Sequence, residues 1–72
     1  MNAPFINHPQ LGETLTPEFA AKPMHELITG LLVLATQFST ERIEKVIVAT
    51  YPHQSALLII RGMNRALLMF SK

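Results

Sequence analysis

The chain reads as an all-α protein: a small bundle of two long helices and one short helix, preceded by an extended N-terminal arm. Three observations point there. Apolar residues recur three and four apart between Met24 and Phe38, the spacing of one helix face. Residues 54–70, QSALLIIRGMNRALLMF, are dominated by Ala, Leu, Met and Arg, with Ile59 and Ile60 as the β-branched exceptions, a composition that favours helix over strand. Four of the five prolines fall at positions 4, 9, 17 and 23, so the helix-breaking residues gather ahead of these segments.

The elements follow in order. Residues 1–15 carry Pro4, Pro9 and Gly12 with little periodicity, which reads as an extended arm rather than part of the folded core. Phe5, Ile6 and Leu11 are more apolar than an arm that is only solvated needs, which leaves two readings open, a free arm or one docked in a groove of this protein or of a partner. A helical turn follows, with Thr16 as N-cap, Pro17 at the first helical position and Glu18 in the first turn. Pro23 stops it. Residues 1–22 are thus an arm with a short helical turn, and residues 23–72 a helical domain.

From Pro23 to Phe38 the expected inward face is Met24, Ile28, Leu31, Ala35 and Phe38, widened by Leu27, Leu32 and Leu34, while Glu26, Thr29, Gly30, Val33 and Gln37 gather opposite. Ser39-Thr40-Glu41 supplies a stop and then an N-cap. Residues 41–50 read as a short helix with Ile43, Val46 and Ile47 on one face and Glu41 and Lys45 at the i,i+4 spacing. The run Val46-Ile47-Val48 is β-branched, however. If RGMN is a turn, the chain becomes α+β, one helix followed by a three-stranded antiparallel meander of residues 43–51, 55–61 and 65–70.

In the last helix Gln54, Arg61, Asn64, Arg65 and Lys72 form one polar stripe, with Leu57, Leu58 and Leu68 projecting into or beside it. Ser55, Gly62 and Ala66 lie on another side, a small-residue patch suited to close approach of a second helix, whether a partner's or the chain's own.

Composition narrows the function. The chain has 72 residues, 49% hydrophobic and 15% charged, with no cysteine. A core of this size supplies only about 3–5 kcal/mol without a staple, and disulfides and Cys-based zinc sites are excluded. Oligomerisation is the remaining usual staple. Net charge is +1, too small to point to nucleic acid by itself. Residues 53–72 nonetheless carry Arg61, Arg65 and Lys72 with no acid.

His8, His25 and His53 are scattered, no Asp is present, and no catalytic triad, cofactor site or metal site can be written. The residues up to Phe19 contain no Lys or Arg and do not read as a secretory signal. Leu27–Phe38 is too short to span a membrane, and Arg61 and Arg65 interrupt the later apolar run. A cytoplasmic, bacterial-type setting is expected.

The succession of helix, short helix, Tyr51-Pro52 and then ALLIIRGMNRALLMFSK resembles the helical-hairpin units of tetratricopeptide-like proteins, including small chaperones of bacterial secretion systems. Arg61 and Arg65 depart from that pattern, standing around Gly62 where apolar residues belong. The resemblance implies an interaction role, since a lone repeat needs a neighbour to bury its face.

The expected function is therefore a non-enzymatic protein–protein interaction module, an inhibitor, adaptor or chaperone-like subunit, acting through helix 54–70. The partner is another protein or a second copy, contacted by Leu57, Leu58, Arg61, Gly62, Arg65, Ala66, Leu68 and Met69. Neither a membrane nor a small-molecule substrate is expected. The alternative function is a small transcriptional regulator binding nucleic acid through the basic C-terminal helix. Against it, a helix-turn-helix reader needs polar side chains at its start, where this chain has Ser-Ala-Leu-Leu-Ile-Ile.

Overall fold

The computed structural model describes residues 4–70. The elements are β1 (Phe5–His8), β2 (Gly12–Leu15), α1 (Pro17–Ala20), α2 (Met24–Gln37), α3 (Thr40–Thr50) and α4 (His53–Phe70). The protein is mostly helical, and α3 and α4 stand where the alternative placed the meander strands 43–51, 55–61 and 65–70. Leucine, alanine and methionine outweigh the one Gly and one Asn of RGMN, so α4 runs unbroken through them.

The N-terminal arm requires a correction. Residues 5–15 pair as an antiparallel hairpin, with Phe5 opposite Leu15 and His8 opposite Gly12. Pro9, Gln10 and Leu11 make a three-residue loop, and Gly12 takes φ +79°, the left-handed residue that such a loop needs. The hairpin is part of the folded core, because Leu15 is buried at 3% exposure with the helix residues. Its amide donates to Thr50 Oγ1 at 2.9 Å, and that hydroxyl donates to the Val46 carbonyl at 2.6 Å. A short, half-apolar strand offers no long alternation, so its docking shows only in three dimensions.

Phe5 packs on the chain itself, its ring meeting Phe38 edge-on at 5.2 Å between centroids. The Arg42 guanidinium lies 5.3 Å from the Phe5 centroid and 4.9 Å from that of Phe38. Arg42 also donates twice to the Glu13 carboxylate, at 3.0 and 2.6 Å. One side chain of α3 thus clasps both strands of the hairpin.

Caps set the helix starts. Thr16 accepts from the Phe19 amide and opens α1, with Pro17 at its start. Ser39 accepts from the Arg42 amide at 3.1 Å and opens α3. Tyr51, the C-cap of α3, donates its hydroxyl to the Ala20 carbonyl at 3.2 Å, which ties α3 back to α1.

The core comprises Leu15, Leu27, Leu31, Leu34, Ile43, Val46, Ile47, Ala56, Ile59 and Met63. Ile43, Val46 and Ile47 are the predicted inward face of α3. In α2 the face is rotated from expectation: Leu27, Leu31 and Leu34 are buried, whereas Met24 is 54% exposed. The reason is that α2 packs against both α3 and α4, which centres its contact on the Leu27–Leu34 row and leaves the first turn outside. Gly30, expected on the solvent side, is half-buried beneath Phe19; a Cβ there would stand 2.6 Å from the ring's Cζ.

Candidate interaction surface

Helix α4 carries the surface. Ala56, Ile59 and Met63 are its buried row, and at about 100° per residue every other position follows from them. Leu57 falls on the flank that faces α3, together with Ile60 and Asn64. Leu58 and Met69 fall on the flank that faces α2. Between the flanks, on the outermost line, stand Gln54, Arg61 and Arg65.

Exposure follows this geometry. Leu57 is 43% exposed, Leu58 62%, Leu68 72% and Met69 72%. Arg61 and Arg65 are both exposed and, with Leu58 and Gly62, line a shallow hollow. Lys72, the expected last member of the polar stripe, lies outside the described residues. Phe70 is 77% exposed and was not among the expected contact residues. It continues the row of Ile59 and Met63 by helical spacing, beyond the stretch of α4 that the rest of the fold covers.

Gly62 takes the chain's own helix instead of a partner's. A Cβ on it would lie 3.1 Å from Ile28 Cδ1 of α2, so the small residue lets α2 and α4 approach. Ala66 is half-buried on the same side. Of the eight predicted contact residues, Gly62 is therefore explained by internal packing, whereas the leucines, Met69 and the two arginines point outward.

A second part of the surface lies on α3. Tyr51 and Pro52 join α3 to α4, and Ile60 lines the same open hollow as Glu41 and Glu44 at the far end of α3. The two helices accordingly return alongside each other. Val48 is 56% exposed on the outer face of α3, and Leu11, 61% exposed, reaches the hollow from the hairpin loop. The sequence pattern held this too, since Val48 stands about 140° from Ile43 and about 100° from Ile47 on the helical wheel, off the buried face.

Electrostatics elsewhere are local. The hydrogen bonds from Arg42 hold the Glu13 carboxyl below the usual carboxylate range, and the same contact raises Arg42. Burial pushes the Tyr51 phenol up. Among the described residues no group of three His, Cys, Asp or Glu side chains is placed to hold a metal ion. No helix among them is long and apolar enough to cross a membrane. His8 is on β1, His25 in the first turn of α2, and His53 at the start of α4. No protein-family model, curated protein or solved structure matches the chain.

Proposed function

We propose that this chain is a non-enzymatic protein–protein interaction module, of the inhibitor, adaptor or chaperone-like kind, acting through the outer side of α4. One observation carries the reading: Leu57, Leu58, Leu68 and Met69, all off the buried row, are 43%, 62%, 72% and 72% exposed on a single helix. Scattered surface leucines are ordinary, but a cluster of large apolar side chains on one element of so small a protein marks a contact site. Two exposed arginines are a small footprint for nucleic acid, whose binding grows with the number of phosphates neutralised.

The test is a paired substitution, Leu58→Glu with Leu68→Glu. The reading expects a variant that keeps its helical circular dichroism and its cooperative unfolding while losing association with its partner. A variant that unfolds as a monomer would place the leucines in the core and end the proposal.

A further inference from the structure

We infer that the hollow on the outer side of α4, lined by Leu58, Arg61, Gly62 and Arg65, seats an acidic side chain from a helix of another protein. The partner helix lays a glutamate into the hollow and apolar side chains to either side of it. The inference names the partner class for the interaction role proposed above and rests on it.

The spacing points to a helix as occupant. Positions 58, 61, 62 and 65 stand in the i, i+3, i+4, i+7 relation, the four residues that form the hole for one knob of a facing helix. Gly62 keeps this hole open, because it brings no side chain to the space between its three neighbours. Leu58, 62% exposed, gives the hole an apolar wall, and Arg61 and Arg65, both exposed, give it a cationic rim.

Charge selects what the knob carries. Among the described residues α4 holds these two arginines and no acid, and neither arginine makes an ion pair there. The acids of the chain lie elsewhere: Glu13 is paired with Arg42, Glu18 is on α1, Glu26 lines a hollow with Phe19 and Gly30, and Glu41 and Glu44 line one with Ile60. A glutamate fits the hole because its methylene stem can lie on Leu58 and Gly62 while its carboxylate meets the two guanidiniums, the groups best shaped to bind it. Leu57 and Leu68 stand on one side of the arginine line and Leu58 and Met69 on the other. They are 43% to 72% exposed and meet the partner's apolar side chains on the turns before and after.

The same arrangement disfavours other occupants. A two-fold interface uses one patch twice, so a second copy docked through this face would lay arginine against arginine, and like charges oppose that contact. A lipid surface takes a helix whose cations lie on the face opposite the apolar one. Here the arginines run down the middle of the exposed apolar side chains.

The probe is a display library of peptide helices about 18 residues long, randomised along one face. Selection on the parental chain should enrich a glutamate with apolar residues three and four positions to either side. Selection on the Arg61→Glu, Arg65→Glu chain should enrich lysine or arginine in its place. In fluorescence anisotropy the enriched acidic peptide should bind the Arg61→Gln, Arg65→Gln chain about tenfold or more weakly than the parent, and the parent less tightly as salt rises. Both positions are exposed, and parental circular dichroism of each variant identifies the loss as one of contact.

No enrichment, enrichment of apolar peptides without an acid, or binding indifferent to the arginine variants would each overturn the acidic partner. So would retention by the parent of a duplex oligonucleotide or of phosphatidylglycerol vesicles that the Arg61→Gln, Arg65→Gln chain loses. A parental dimer that Leu58→Glu reduces to one chain would assign the face to a second copy and overturn it as well. The broader interaction role fails by a different result, unfolding of the Leu58→Glu, Leu68→Glu protein.

Discussion

Leu58 and Ile59 are neighbours in sequence and similar in size, yet the fold assigns them opposite energetic roles. Ile59 is 3% exposed and Leu58 62%. Burying a whole leucine side chain is worth about 1.5–3 kcal/mol, so the buried fraction of Leu58 contributes about 1 kcal/mol or less. Ile59 lies among Leu31, Ile43, Ile47 and Met63 in the core, and its truncation to alanine leaves a cavity that costs about 2–5 kcal/mol. Against a total stability of about 3–5 kcal/mol, Ile59→Ala approaches complete unfolding. Leu58→Ala lowers the midpoint by no more than about 8 °C. Urea unfolding measures both. Equal losses for the two variants would refute the assignment of Leu58 to the surface.

Further expectations follow from single contacts. Gly62→Ala should stabilise the chain by up to about 1 kcal/mol through helix propensity, because the obstructing atom is the movable end of Ile28; a loss in thermal unfolding would show that α2 cannot give way. Ser39→Ala removes the cap of α3 and should cost about 0.5–2 kcal/mol in urea unfolding, and an unchanged midpoint would deny the cap its role. The Glu13 carboxyl is lowered in the folded state, so its contribution is complete above the unfolded carboxylate value and is lost as pH falls through the lowered one. An NMR titration of the hairpin should follow that sign, and Arg42→Gln should return Glu13 to the ordinary range. A Glu13 titration indifferent to Arg42→Gln would contradict the clasp.

Much of the fold was legible because helix periodicity is a local signal. The inward row of α3, the Thr16-Pro17 and Ser39 helix starts, and the outward aim of Leu57, Leu58 and Leu68 all follow from spacing within one element. The hairpin did not. Its strands are four residues each, too short for alternation to register, and the partner that secures them is Arg42, 29 residues away from Glu13. The rotation of the α2 face likewise depends on two neighbours that approach from different sides. Gly62 and Gly30 were visible as small residues, but what fills the space beside them, Ile28 and Phe19, is decided by tertiary contact.

Circular dichroism with thermal unfolding of the Leu58→Glu, Leu68→Glu protein tests the assignment of these leucines to an interaction surface on α4 most directly. Parental helicity and a cooperative transition near the parental midpoint are the predicted result, since both side chains are more than 60% exposed. A variant that unfolds would contradict it.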